Sequence, residues 1–218
     1  FLKTTGAAGI GLAAAAAAPG LIAAQEPPAV PTRPFGRSGI QVPILSLGGM
    51  FDIPNNQLLM RQALKWGVTY WDTANMYEGG HSEQGIGKYF ARYPEDRKKI
   101  FLVTKSTAWT KAGMTEHLNL SLERMQTDAV DLFFVHAIRS ASTMDADMRQ
   151  WAEKAKSQGK IRAIGVSNFS RAQIEEARRF GSIDSLQPPY SLFWRQAEKD
   201  ALAYCAANGL TPTICTPE

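Results

Sequence analysis

The chain has 218 residues, 44% hydrophobic and 20% charged, with a net charge of +4. That is enough for one sizeable core or a large part of a bigger one, in the composition of an ordinary soluble globular protein. No basic run interleaves with aromatics, which argues against a nucleic-acid binder. The two cysteines, Cys205 and Cys215, form neither a disulfide framework nor the spacing of a zinc site.

The first 25 residues stand apart. Phe1-Leu2-Lys3 precedes a Gly/Ala-rich apolar run from Gly6 to Ala24, followed by the proline-rich stretch Gln25 to Pro34. This pattern reads as an export signal and linker over residues 1–33, ahead of the fold. Phe-Leu-Lys is similar to the tail of a twin-arginine export motif, although the arginine pair and an initiator Met are absent. Periplasmic export by that route is the expectation, with a cytoplasmic protein as the alternative. Gly9, Gly11, Pro19 and Gly20 interrupt the run, which disfavours a stable membrane span.

From Pro34 onward the signals alternate. Pro34 to Val42 predicts a hairpin around the turn Gly36-Arg37-Ser38-Gly39. Ile44 to Leu47 predicts a first strand, Leu58 to Trp66 a helix stopped by Gly67, and Val68 to Asp72 a second strand. A helix over Ser82 to Tyr93 leads to a third strand, Ile100 to Lys105. Thr115 is the expected cap of a helix whose Leu118, Leu122 and Met125 share one face. Val130 to His136 is the fourth strand, Met148 to Ser157 a helix, and Ile161 to Ser167 the fifth strand. Ser170 and Gln173 form a capping box for a helix through Phe180. Ile183 to Gln187, a helix over Ala197 to Ala207, and a strand at about Pro212 to Cys215 complete the series.

Strictly alternating strands and helices imply a parallel sheet covered by helices. The period suits an α/β fold of the (β/α)8 TIM-barrel type, incomplete because about seven strands are present. A doubly wound open sheet is disfavoured, since no Gly-x-Gly-x-x-Gly follows the first strand. One strand short of closure, the barrel over residues 34–218 is expected to be truncated, and the chain to be a piece cut at both ends.

In a barrel of this type the chemistry sits at the C-terminal strand ends. Asp72, Lys105, His136, Ser167 and Gln187 all fall there, and Tyr77 follows Asp72 by five residues. Taken singly, each has a plainer reading: a loop aromatic, a helix cap, a solvated lysine, a core histidine. Their joint placement on successive strands is what suggests one site. A carbonyl reduced by hydride needs a proton donor at its oxygen, and a phenol beside an ammonium can serve. Asp72 would pair with Lys105, and His136 would hydrogen-bond the substrate oxygen. His81 and His117, in a loop and inside a helix, carry no expected role.

Trp71-Asp72-Thr73-Ala74-Asn75-Met76-Tyr77, Thr104-Lys105, Val135-His136, Gly165-Val166-Ser167-Asn168-Phe169 and Gln187-Pro188-Pro189-Tyr190 resemble the aldo/keto reductase family, from about Phe35 to Thr216. The resemblance implies Tyr77 as general acid, with Asp72, Lys105 and His136 completing a tetrad. It implies Ser167, Asn168 and Gln187 as ligands of a nicotinamide carboxamide, and NADP as cofactor, with NAD as the alternative. It implies a small-molecule carbonyl substrate and no metal. Where the family usually stacks an aromatic on nicotinamide, near the end of strand seven, this sequence has Cys215. The alternative function is a nicotinamide-binding sensor or interaction module on the same fold, without useful turnover. The residues set neither the substrate nor the oligomeric state.

Overall fold

The computed structural model describes residues 30–136, 145–168, 170–179 and 181–215. The expected leader up to residue 29, Phe169, the end of the capping-box helix at Phe180, and Thr216 lie outside the described residues. The chain opens with an antiparallel hairpin, β1 (Thr32–Pro34) and β2 (Gln41–Pro43). Seven parallel strands follow: β3 (Ser46–Gly48), β4 (Tyr70–Asp72), β5 (Phe101–Ser106), β6 (Val130–Val135), β7 (Ile161–Ser167), β8 (Ser185–Gln187) and β9 (Thr211–Pro212), paired in that order. Between them run α1 (Gln57–Lys65), α2 (His81–Arg92), α3 (Lys111–Met125), α4 (Ala146–Ser157), α5 (Arg171–Ala177) and α6 (Ala201–Asn208).

The sheet is curled, not flat. β4 and β9 stand at the second and last places of the seven-stranded order. In a flat sheet those five steps would separate them by about 24 Å. Instead the Tyr70 hydroxyl lies 3.0 Å from Thr213 Oγ1, just past β9. The seven strands are therefore an incomplete α/β barrel, with its interior between β4 and β9.

Strand alternation sorts the side chains into two layers. Phe101, Val103, Leu132 and Phe134 point into the barrel, while Leu102, Phe133 and Val135 point outward to the helices. The same alternation turns Lys105 inward and Thr104 and Ser106 outward. The hairpin plugs the N-terminal mouth: the buried Phe35 ring lies 5.0 Å from Phe101, which in turn stacks on Tyr70 at 5.0 Å. The interior at the bottom of the barrel is thus packed with aromatics, and the C-terminal end is left for polar groups. Gly87 lets α2 and α3 touch, since a Cβ there would lie 2.0 Å from the Arg124 carbonyl oxygen.

Several expected boundaries shift for local reasons. The first strand begins at Ser46 because the Ile44 amide is still bonded to Pro31 O in the hairpin. β4 begins at Tyr70 because the Val68 amide closes the end of α1 on Ala63 O. Thr115 does not cap α3. Thr110 does, accepting from Gly113 N, while the Thr115 hydroxyl donates back to Lys111 O inside the helix. α6 starts at Ala201, after a short 3-10 turn over Gln196–Glu198, because the Asp200 carboxylate caps the Ala201 amide. The last strand is Thr211–Pro212, and Cys215 lies beyond it, in an isolated β-bridge to Pro189. The Ser170–Gln173 capping box is present, and His81 is the first residue of α2. Among the described residues no helix is long and apolar enough to cross a membrane.

Candidate active site

Asp72 is the last residue of β4, Lys105 the penultimate residue of β5, and His136 the residue after β6. Parallel pairing brings these ends together, and the loop leaving β4 returns Tyr77 over them. Lys105 is 1% exposed. Its Nζ ion-pairs with Asp72 Oδ1 at 2.9 Å and donates to Thr73 O at 2.8 Å and to the Tyr77 hydroxyl at 3.2 Å. An ammonium this deep requires such partners, because an unpaired buried charge is strongly disfavoured. The ammonium also sits 4.7 Å from the Tyr77 ring centroid.

His136 stands edge-on to the phenol, with ring centroids 6.2 Å apart and planes at 85°. Its amide is anchored to Ser106 O at 2.8 Å. Burial, then the Lys105 charge, push the imidazole down to about 4, with Asp72 pulling the other way. It is therefore neutral near pH 7. Its Nδ1 is buried and has no hydrogen-bond partner among the described residues. The structure thus brings Asp72, Tyr77, Lys105 and His136 into one small volume.

Ser167 ends β7 and is paired in register with Gln187, which ends β8. Ser167 is buried, and the Asn168 amide donates to Gln187 O at 3.0 Å. Asn168 has φ 61°, a left-handed conformation that asparagine tolerates better than most residues. The side chain of Gln187 reaches across the barrel, its Nε2 donating to Asp72 Oδ2 at 2.9 Å. Asp72 is thereby held by two groups, and Gln187 joins the two residue sets that the sequence reading kept apart. At the position expected to carry a stacking aromatic, Cys215 accepts at its carbonyl from the Tyr190 amide at 3.2 Å.

The sequence reading missed the polar groups behind the site. His117, given no role there, lies on α3 with Nδ1 2.8 Å from Asn75 Nδ2 and 2.7 Å from Ser106 Oγ. Arg124, further along α3, donates to Asn75 O at 2.9 Å and pairs with Glu83 at 3.3 Å. The fully buried Glu83 also accepts from Thr104 Oγ1 at 2.6 Å. Each contact spans 21 residues or more except Ser106 to His117, so no local motif signals it.

A curled parallel sheet with helices outside, an aromatic-packed N-terminal end and polar groups gathered at the C-terminal strand ends places the chain among the (β/α)8-barrel proteins. Its relatives narrow this. The profile of the aldo/keto reductase family matches residues 46–217, and the chain belongs to that family. It is 36% identical over 165 residues to aldo-keto reductase YhdN of Bacillus subtilis, an alignment covering 71% of this chain and 49% of that protein. The crystal structure of the thermostable aldo-keto reductase Tm1743, in complex with the inhibitor epalrestat, superposes with a TM-score of 0.76 at 32% identity. That match covers 84% of this chain and 71% of the other. An aldo/keto reductase from Klebsiella pneumoniae, solved with NADP and acetate, matches with a TM-score of 0.70 at 27% identity, covering 81% and 65% of the two chains. The chain spans about half to two thirds of the length of the curated relatives it matches.

Proposed function

We propose that the protein to which this chain belongs reduces an aldehyde or ketone to an alcohol, with NADPH as hydride source and Tyr77 as proton donor. The carrying observation is the bond from Lys105 Nζ to the Tyr77 hydroxyl, with Asp72 on the same ammonium. As the phenol gives up its proton to the forming alkoxide, the ammonium stabilises the negative oxygen left behind. Asp72, itself tied to Gln187, keeps the ammonium in place. His136 is neutral near pH 7, so it can donate a hydrogen bond to the substrate oxygen without supplying the proton. This separates the roles of the two candidate acids: the phenol protonates and the imidazole orients.

The residues present fit a nicotinamide dinucleotide. The carboxamide of its ring needs both donors and acceptors, and Ser167, Asn168 and Gln187 supply them at adjacent strand ends. Gln187 spends its Nε2 on Asp72, which leaves Oε1 to accept from the carboxamide. When bound, the reduced dinucleotide supplies the hydride. NADP is proposed over NAD because the NADP complex of the Klebsiella relative lends support to it.

The test is Tyr77→Phe, followed by NADPH oxidation over a panel of aldehydes and ketones. Loss of two or more orders of magnitude in kcat is expected for removal of a general acid. Unchanged reduction would refute the role of Tyr77.

A further inference from the structure

We propose that Arg124 is a positioning residue for Tyr77, acting through the loop that carries it; the proposal rests on the reductase reading of the site. The Tyr77 loop has an unusual backbone. Glu78, Gly79 and Gly80 follow the tyrosine at φ 50°, 63° and 97°, three left-handed residues in succession. The two glycines adopt this region freely, but Glu78 does not, and a non-glycine residue persists there only where its surroundings fix it.

Arg124 supplies that hold from beneath. On the near side of Tyr77 its Nη1 donates to Asn75 O at 2.9 Å. On the far side its guanidinium occupies the space beside Gly80, where a Cβ would come within 2.5 Å of the guanidinium carbon. One planar cation therefore braces both flanks of the tyrosine. The cation is itself fixed by Glu83, which is fully buried and bonded to Thr104, the neighbour of Lys105 on β5. The loop bearing the phenol and the strand bearing the ammonium are thus tied to the same ion pair. His117, on the same helix, meets the Asn75 side chain at 2.8 Å and gives a second point of attachment.

The consequence is geometric. The 3.2 Å separation of Lys105 Nζ and the Tyr77 hydroxyl depends on a loop whose next residue, Glu78, is held in a disfavoured conformation and whose two glycines leave it free to take others. Loss of the brace lets the phenol wander from the ammonium while leaving the cofactor-facing strand ends in place.

The test uses Glu83→Gln/Arg124→Met, which removes both charges and strands neither one inside the protein, alongside Arg124→Lys. Amide hydrogen exchange is followed over residues 75–80 and over β5 and β6, and kcat and KM are measured with NADPH and an aldehyde. In the double variant exchange over 75–80 is expected to accelerate about tenfold or more with the strand amides unchanged. kcat is expected to fall about 10- to 100-fold with KM altered less than about threefold. Arg124→Lys, still able to donate to Asn75 O, should recover part of both. Exchange over 75–80 equal to that of the parent, or an unchanged kcat, overturns the proposal. If Tyr77→Phe also leaves turnover intact, the reductase reading falls, and loop exchange alone then decides whether Arg124 fixes Tyr77.

Discussion

Lys105 and Asp72 form an ion pair at 2.9 Å in which the lysine is almost fully buried. Neither charge would be tolerated there alone. Lys105→Met should therefore destabilise the fold by about 3–5 kcal/mol, since it leaves the carboxylate without its counter-charge. Asp72→Asn/Lys105→Met, which removes both charges, should be the more stable of the two variants while still lacking turnover. Urea unfolding of the single and double variants checks this. A single variant as stable as the parent would show that the pair is solvated in solution.

His136 gives the fold a pH dependence whose sign is fixed. Its folded value is pushed from 6.5 to about 4, chiefly by burial and next by the Lys105 ammonium. Above 6.5 the ring is neutral in both states and contributes no slope. Between 6.5 and about 4 the unfolded chain binds a proton that the folded chain refuses, so stability falls as pH falls. Below the folded value that loss is complete. The loss is on the order of 2 kcal/mol once the partial exposure of the ring is allowed for. Thermal melts across this window should show it in the parent and not in His136→Gln. Equal slopes in the two proteins would mean the ring titrates normally.

The barrel was legible because its signals are local. Ile161 to Ser167 is a strand with the bounds that its apolar run and the preceding Gly159 suggest, and the Ser170–Gln173 capping box is a four-residue pattern. The convergence of Asp72, Tyr77, Lys105 and His136 was legible for a related reason: parallel alternation forces successive strand ends to one rim. What could not be read depends on side chains meeting through the fold. Gln187 donates to Asp72 across 115 residues, and Arg124 reaches Asn75 across 49. Charge and spacing along the chain carry no trace of either contact. The Tyr70 contact with Thr213, which bears out the curl expected of a barrel, is itself of this long-range kind.

The start of α3 shows how a local signal can mislead, and it can be tested directly. Leu118, Leu122 and Met125 set the apolar face, so the first threonine upstream, Thr115, looked like the cap. The helix in fact gains one further turn, Lys111 to Met114, over the surface. Within that turn only Met114 is buried, so the apolar rhythm does not announce it. Thr110 carries the cap, with extended φ/ψ and its hydroxyl accepting from Gly113 N at 3.2 Å. Thr110→Ala should cost about 1 kcal/mol, the usual loss of an N-cap. Thr115→Ala should be neutral or slightly stabilising, because the lost bond to Lys111 O is intrahelical and alanine is the better helix former. Urea midpoints of the two variants separate the assignments: a larger drop for Thr115→Ala would return the helix start to Thr115.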